Sequence, residues 1–428
     1  MSPIRPALGK KTVARPGGEA LTIRFTRKST WAASFEYRDF RLLWLSTFLF
    51  ALGTGMEHVA VGWLVFEITG SAFMVGVASG ARMAPFFFLG VLSGVVADWL
   101  ERRLLLRVST FSGTVVAAVM AVLLLAGGAG VWSILVLVTA GGCIFAFVLT
   151  TRQAYVLDIV GPENALNGLA LSAMAMQAGG IAGSIISGTL IEAVGPGWQY
   201  VAVGASYALA GLVLIGMTEP GRATEGRRES VLENLAGYIR LIRQNRVLLI
   251  LMCLASITEV FGFTHMTLLP VFAKEVLFVG PVGLGFMTAV RQGGGLLGLA
   301  LLASLRDYRR KGLLMFIIAV GFGAGLMAFS LSANLFVFLV VLAVVNACAM
   351  AVDTLYKTLM QENVANEQRG RAMGSWTLSI GVAPVGHLGV GALAGFLGAP
   401  GALLVNGAVL AFVSIAAAAG LPKIRRLE

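Results

Sequence analysis

The sequence contains about a dozen long apolar runs, and these runs constrain its fold more than any other feature. Hydrophobic residues make up 57% of the chain, charged residues make up 12%, and the mean hydropathy is +0.86. Most runs reach the roughly 20 residues that a helix needs to cross a hydrocarbon core about 30 Å thick. Because the runs are rich in glycine and lack alternating polar positions, they predict transmembrane helices and not the strands of a barrel.

We place twelve spans on these runs, six on each side of a polar interval. The first six are Phe40–Phe66, Ser71–Ala97, Leu104–Leu125, Val131–Leu149, Ala165–Val194 and Gln199–Met217. The second six are Val247–Phe272, Val282–Leu305, Gly312–Leu331, Asn334–Asp353, Ala372–Leu397 and Gly401–Leu421.

The net charge of +11 follows the expected membrane topology. Lysine and arginine occur in the amino-terminal tail and in every second loop, whereas the alternate loops carry only Lys274. By the positive-inside rule both termini are expected in the cytoplasm, which requires an even number of spans. No basic segment interleaved with aromatic residues indicates a nucleic-acid partner.

Two stretches 209 residues apart repeat one pattern, an arginine in an apolar run followed sixteen positions later by an aspartate. The first copy extends from Arg82 to Asp98 and the second from Arg291 to Asp307. Such a repeat predicts a chain built from two similar halves, which is typical of transporters. The predicted domains are a basic cytoplasmic tail at 1–38, a six-helix bundle at 39–217, a cytoplasmic linker at 218–246, and a second six-helix bundle with a short tail at 247–428.

The linker carries the pattern of a helix. Ser230 and Glu233 match a capping box, and apolar residues recur after them at helical spacing. The pattern fits an amphipathic helix on the inner membrane surface, and it fits a solvated linker helix equally.

The sequence shows no motif of an enzyme. It lacks a phosphate-binding glycine–lysine loop, a metal-spaced cluster and a nucleophile motif with a placed histidine. Its three cysteines, Cys143, Cys253 and Cys348, lie in apolar spans, where we expect them to be packing residues. We therefore predict no cofactor, no metal and no catalysis.

The loop after the second predicted span, GVVADWLERRLLL, resembles the G-x-x-x-D-R-x-G-R-R signature of the major facilitator superfamily. Four positions match the signature: Gly94, Asp98, Arg102 and Arg103. Trp99 and Glu101 depart from it, and a weaker second copy keeps Asp307. The RGRAMG segment at 369–374 resembles the usual entry to the eleventh helix. Within the superfamily the chain is similar to the bacterial exporter branch that includes macrolide efflux pumps and the enterobactin exporter.

This resemblance implies an all-α integral membrane fold with twelve transmembrane helices in two pseudo-symmetric six-helix bundles, the major facilitator fold. It implies a secondary active transporter of the cell membrane that works by alternating access. We expect a proton-coupled exporter of amphipathic organic molecules such as a drug or a siderophore. The expected partners are the small-molecule substrate, protons and the lipid bilayer, with the monomer as the functional unit. The alternatives are an importer or lipid facilitator on the same fold, and a membrane receptor that does not transport.

The signature loop predicts a conformational latch at the cytoplasmic ends of the two halves. Its residues are Gly94, Asp98, Arg102, Arg103, Asp307, Arg369 and Arg371. Glycine permits close helix approach, Asp98 accepts hydrogen bonds from a helix N-terminus, and arginines pair with acids across the interface. Such contacts form only when the cytoplasmic ends meet, so they favour an outward-open state. The alternative is that Arg102 and Arg103 only follow the topology.

Ionisable groups at membrane depth mark the predicted transport site, because burying one costs at least about 2.5 kcal/mol. The candidates for proton and substrate binding are Glu57, His58 and Arg82 in the first half, and Glu259, His265 and Arg291 in the second. Counted at 1.5 Å per residue from their shared loop, Glu57 lies about 14 Å deep and Arg82 about 16 Å deep, so the two can pair. A proton and a substrate would then compete for Glu57.

Each of these assignments has an alternative in which the residue has only a structural role. Glu57 and Arg82 can form a static ion pair that only joins two helices. A buried histidine is usually a packing residue, and this is the favoured interpretation for His387.

Two predicted spans carry glycine patterns that bear on movement. The fifth contains Gly179, Gly180 and Gly183, which resemble the glycine-rich stretch of proton-driven exporters. The eleventh contains Pro384 among several glycines, a combination that lets a helix bend.

Overall fold

The structure is a computed structural model of the chain. It describes residues 10–14, 20–24, 33–221, 240–305, 308–365 and 368–427. For the first two of these segments and for residues 86–88, 90–99 and 370–371 it describes the backbone alone. The predicted linker helix with Ser230 and Glu233 lies outside the described residues.

A small antiparallel hairpin forms in the amino-terminal tail. Strand β1 (Lys10–Ala14) pairs with β2 (Ala20–Arg24), with Lys10 opposite Arg24. The sequence analysis assigned no regular structure to this tail. Both strands carry β-branched residues, which favour extended backbone.

Helices form nearly all of the remaining described chain, beginning with a 3-10 turn at Ala33–Glu36. The helices are α1 (Arg38–Thr69), α2 (Ala72–Trp99), α3 (Arg102–Leu125), α4 (Val131–Ile215), α5 (Arg246–Val276), α6 (Gly280–Ser304), α7 (Lys311–Ser330), α8 (Leu335–Glu362), α9 (Arg369–Ile380), α10 (Ala383–Gly420) and α11 (Pro422–Arg425). Helix α5 contains two π-helical turns, Glu259–Phe263 and Phe272–Val276.

Within the described residues, eight helices are long and apolar enough to cross a membrane. The chain is therefore a multi-pass membrane protein, and the all-helical expectation is confirmed for its membrane part. Some predicted boundaries were too short. The fourth predicted span ends at Leu149, whereas the helix continues beyond Asp158, because Arg152 and Asp158 lower the local hydropathy without ending the helix.

Three glycines interrupt the two longest helices with non-helical backbone. Gly161 (φ 72°, ψ 170°) and Gly195 (φ 86°, ψ 166°) lie within α4, and Gly398 (φ 72°, ψ 167°) lies within α10. Only glycine adopts this region without strain. Pro162 and Pro196 directly follow the two glycines of α4. Proline suits the first turn of a new helix, so each glycine–proline pair marks a reversal between two helical segments.

The predicted bend of the eleventh span is confirmed. Helix α9 ends at Ile380 and α10 begins at Ala383, with Gly381 as the C-cap of the first. Pro384 lies in the first turn of α10, where its missing N–H leaves no helical hydrogen bond unmade.

The amino-terminal helices (α1–α4) contact the carboxy-terminal helices (α5–α10) mainly near the arginine-poor end, which holds the connections 70–71, 126–130 and 277–279. A Cβ on Gly76 of α2 would overlap the carbonyl of His387 in α10, and one on Gly188 of α4 would overlap that of Pro281 in α6. Small residues allow such close backbone approach, because dispersion contacts drive helix association in a bilayer.

The glycine at the second break of α4 gives a test of this architecture. Gly195→Ala should lower the free energy of unfolding by about 1–3 kcal/mol, because alanine is strained at this backbone geometry. Gly389→Ala is the matched control, since an added Cβ meets nothing within 4 Å at either position and Gly389 has no positive φ. Thermal unfolding in detergent compares the two, and equal midpoints would contradict the turn geometry.

Candidate functional site

A cavity of about 230 Å³ lies between the amino-terminal and carboxy-terminal helices. Its wall is formed by His58 of α1, Arg82 of α2, Met176 and neighbouring residues of α4, and Arg291 of α6. We call it the central cavity. The cavity extends to Met176. This residue lies farther from the arginine-poor end than Gly76 and Gly188, where the two sets of helices are in close contact.

A smaller cavity of about 80 Å³ shares part of this wall. Both are lined by His58, Arg82 and Thr288, and the smaller one adds Met266 of α5 and His387 of α10.

Glu57 and Arg82, predicted from depth to be able to pair, form an ion pair. Arg82 Nη1 lies 3.5 Å from Glu57 Oε1, and the two side chains are 15% and 10% exposed. The hydroxyl of Tyr207 donates a 2.7 Å hydrogen bond to Glu57 Oε2. Glu57 lines neither of the two cavities described above. It lies behind Arg82 in a separate pocket with Tyr200 and Tyr207.

The turn of α1 that carries Glu57 and His58 is fixed by two polar side chains of α4. The backbone carbonyl of Met56 accepts hydrogen bonds from Ser187 Oγ at 2.9 Å and from Gln199 Nε2 at 3.0 Å. A Cβ on Gly141 would lie 2.9 Å from Glu57 Oε1. The carboxylate is therefore held in place from several sides.

The three histidines occupy different environments. His58 lies on the central cavity wall within electrostatic range of Arg82, Arg291 and His387. His387 also faces a cavity, and its Nδ1 lies 2.6 Å from Thr267 Oγ1.

His265 does not reach these cavities. It is 0% exposed, with Nδ1 2.8 Å from the carbonyl of Gly262 and Nε2 3.3 Å from Asn346. The rings of Phe322 and Phe329 cover it. Its contacts are those of a hydrogen-bonded core histidine, so the expected symmetry between His58 and His265 does not extend to their surroundings.

The second half does not repeat the ion pair of the first. Among the described residues no ion pair joins Glu259 to Arg291, and Glu259 lies near Asp353 and Lys357 instead. The repeat offset of 209 residues places Met266 at the position of Glu57. Glu259 lies seven residues earlier, about 10 Å along a helix, which removes it from the level of Arg291.

The predicted latch residues are described only in part. Asp307 lies outside the described residues. For Gly94, Asp98 and Arg371 the structure describes the backbone alone. Arg369 is exposed.

Arg102 and Arg103 make contacts inside the first half. Arg102 Nη1 lies 2.6 Å from Asp158 Oδ1, and Arg103 pairs with Glu101 and donates to the carbonyl of Thr218. These contacts lie within the first half, and the contacts predicted between the halves, which require the cytoplasmic ends to meet, stay a prediction.

Sequence analysis missed the position of Arg152 in the core. Arg152 is 3% exposed, and its three guanidinium nitrogens have no hydrogen-bond partner among the described residues. Its guanidinium carbon lies 5.2 Å from the centre of the Phe50 ring. The matching cation of the second half, Lys357, is paired with Asp353 at 2.7 Å. In the sequence, Arg152 stands nine residues before Gly161, the glycine that interrupts α4, and this position inside a helix was the available indication.

A cavity between two sets of membrane-spanning helices, with ionisable side chains on both walls, defines a membrane transporter. The sequence profile of the transmembrane secretion effector family matches residues 28–427. The chain belongs to this family, which is part of the major facilitator superfamily. This confirms the predicted superfamily and the expectation that the chain is a transporter and not an enzyme.

Two curated relatives cover most of the chain. The multidrug efflux pump Tap of Mycobacterium tuberculosis is 29% identical over 412 residues, which cover 90% of this chain and 94% of Tap. The enterobactin exporter EntS of Shigella flexneri is 24% identical over 384 residues, which cover 85% of this chain and 88% of EntS.

The crystal structure of the nucleoside transporter NupG has the same fold. It superimposes with a TM-score of 0.72 at 16% identity and covers 91% of this chain and 100% of the NupG chain.

The ion pair can be tested by a double-mutant cycle. Arg82→Gln leaves the Glu57 carboxylate buried without its cation, which should lower the free energy of unfolding by about 3–5 kcal/mol. Adding Glu57→Gln should restore most of this loss, because the uncompensated charge is gone. Denaturation in detergent measures both, and strictly additive losses would show that the pair is not coupled.

Proposed function

We propose that this chain is a proton-coupled exporter of amphipathic organic molecules, drugs or siderophores, that works by alternating access as a monomer. The observation that supports the proposal is the Glu57–Arg82 ion pair. Its arginine lines the central cavity, and its carboxylate lies behind that arginine. The pair joins a group that can bind a proton to a cation that faces the cargo.

The proposed architecture has twelve spans in two six-helix bundles, 39–217 and 247–428, with the linker 218–246 and both termini in the cytoplasm. Breaks at Gly161 and Gly195 divide α4 into three segments, and Gly398 divides the α9–α10 region into two. Counted together with α1–α3 and α5–α8, these segments number twelve. An even number of spans brings both basic ends to one side, which the positive-inside rule makes the cytoplasmic side.

Alternating access is supported by the position of contacts between the two sets of helices. At the arginine-poor end, Lys274 Nζ of α5 lies 5.6 Å from the Trp63 ring and 5.7 Å from the Phe66 ring of α1. Deeper in, Gln292 Nε2 donates to Ser184 Oγ at 3.1 Å. These contacts close the outer side of the central cavity, as expected for an inward-facing state.

Proton coupling is supported by the sequence of contacts that leads away from the central cavity. The central cavity is followed by Arg82, then Glu57, then Tyr207. A proton on Glu57 removes the charge that holds Arg82, so the guanidinium is freed toward the cavity. Cargo and proton thereby act on the same arginine, and each changes the binding of the other.

The proposed direction of transport and the proposed class of cargo are inferred from the relatives. Tap is a multidrug efflux pump and EntS is an enterobactin exporter. The central cavity offers apolar walls, such as Met83 and Met176, beside its charges, which suits an amphipathic cargo.

Replacing the proposed proton site should abolish coupling. In inside-out vesicles with an imposed pH gradient, the wild type should accumulate members of a drug and siderophore panel. Glu57→Gln should lose the pH-driven component, and Glu67→Gln, an exposed position on the same helix, should keep it. Fluorescence size exclusion checks that insertion is unharmed.

Two results would count against the proposal. Normal pH-driven accumulation by Glu57→Gln would remove Glu57 from the mechanism. Accumulation only in right-side-out vesicles would indicate an importer or lipid facilitator.

The cytoplasmic latch is a second proposal, which concerns Gly94, Asp98, Arg102, Arg103, Asp307, Arg369 and Arg371. Asp98→Asn should raise the inward-open population, because it removes the negative charge that strengthens the hydrogen bonds holding the cytoplasmic ends together. The measurement is labelling from the cytoplasmic side of a Met176→Cys reporter in a chain without its native cysteines. Glu163→Gln, exposed at the same end, is the control, and unchanged labelling in Asp98→Asn rules the latch out.

A further inference from the structure

Arg291 is a cation at membrane depth without an acidic partner among the described residues. It lies on α6 in the wall of the central cavity, and its Nε is buried without a hydrogen-bond partner. A guanidinium away from water is costly unless it is paired and hydrogen-bonded. An anionic group that enters the central cavity would supply the missing partner.

The candidate acids of the chain do not fill this role, and Glu275, sixteen residues before Arg291, is exposed. Glu259 lies near Asp353 and Lys357. Glu57 is already paired with Arg82 and lies behind it. Asp307 is sixteen residues from Arg291, about 24 Å along a helix.

The charged residues that line the central cavity also indicate that Arg291 lacks a partner in the part of the chain that the structure describes. Among the described residues, no carboxylate lines the central cavity or the smaller one beside it, whereas Arg82 and Arg291 line the central cavity from opposite sets of helices. His58 also lines the central cavity, in electrostatic range of both arginines. With the charge of Arg82 balanced by Glu57, the wall retains the charge of Arg291.

Arg152 shows why an unpaired arginine alone is not enough. Its guanidinium is also without a hydrogen-bond partner, but it lies against the Phe50 ring and lines none of the cavities described above. Arg291 differs because it faces open space next to hydrogen-bonding groups, Gln292 and Thr288, and across from the apolar Met83.

We propose that the cargo is an organic anion whose oxyanion group, a carboxylate or a phosphate, pairs with the guanidinium of Arg291. The planar guanidinium donates two parallel hydrogen bonds to such a group, which an uncharged or cationic cargo cannot accept equally. The apolar part of the cargo lies against Met83, Phe145 and Met176. The proposal rests on the proposed transport function and adds the chemical class of the substrate.

The test uses the purified full chain in detergent and four probes on one ring system: 1-naphthaleneacetate, 1-naphthyl phosphate, the methyl ester of the first, and 2-(1-naphthyl)ethylamine. Thermal stabilisation as a function of probe concentration gives each affinity. At least one of the two anions should bind the wild type about 10- to 100-fold more tightly than the ester and the amine. Which anion binds distinguishes a carboxylate cargo from a phosphate cargo.

Variants separate Arg291 from the general positive charge of the protein. Arg291→Gln should lose the preference for the anion, Arg291→Lys should keep part of it, and Arg243→Gln, which removes an exposed arginine, should keep all of it. Without probe, Arg291→Gln should unfold at the wild-type temperature or above, because an unpaired buried cation is gone. A structural role for Arg291 would lower that temperature.

Binding of both anions no tighter than that of the ester by the wild type would overturn the proposal even if no Arg291 variant folds. So would full retention of the anion preference in Arg291→Gln. Neither result touches proton-driven transport, which the vesicle assay measures without these probes. A failed vesicle assay with intact anion preference would remove the transport mechanism and leave the anion site.

Discussion

The burial of charge in a medium that cannot solvate it is the constraint on which this structure depends. Glu57 is tolerated at membrane depth because Arg82 lies 3.5 Å away and Tyr207 donates a hydrogen bond at 2.7 Å. The pair in turn requires that α1 and α2 approach α4 closely, and Gly141 leaves the space for the carboxylate. Helix packing and the geometry of the site are therefore linked, because a side chain at Gly141 would displace the Glu57 carboxylate, the proposed proton site.

The two halves of the duplicated sequence carry different charged groups near the central cavity. The first half keeps a paired carboxylate and arginine, whereas Arg291 of the second half has no acidic partner among the described residues. The difference arises from two turns of helix, since Glu259 stands seven residues before the position that corresponds to Glu57. Under the proposed mechanism, the first half responds to protons and Arg291 of the second half pairs with the cargo.

Much of the fold was predictable because its strongest signal is hydropathy. The apolar runs gave the position of nearly every helix, and the glycine and proline content of the eleventh span gave its bend at 381–382. The extension of the fourth span past Arg152 was missed, because a buried arginine lowers hydropathy without breaking a helix. Depth counted along the helices also brought Glu57 and Arg82 to one level, since both are measured from the same short connection.

Sequence by itself determined the membrane class, the superfamily and the pairing of Glu57 with Arg82, because each depends on composition or on spacing within neighbouring helices. Only the tertiary structure decided that His265 is a core residue and that Arg291 lies on the cavity wall with no acidic partner among the described residues. It also placed Arg152 against Phe50. These outcomes depend on which face of each helix meets which neighbour. That choice is made by packing between segments far apart in the chain, and periodicity along one helix does not specify it.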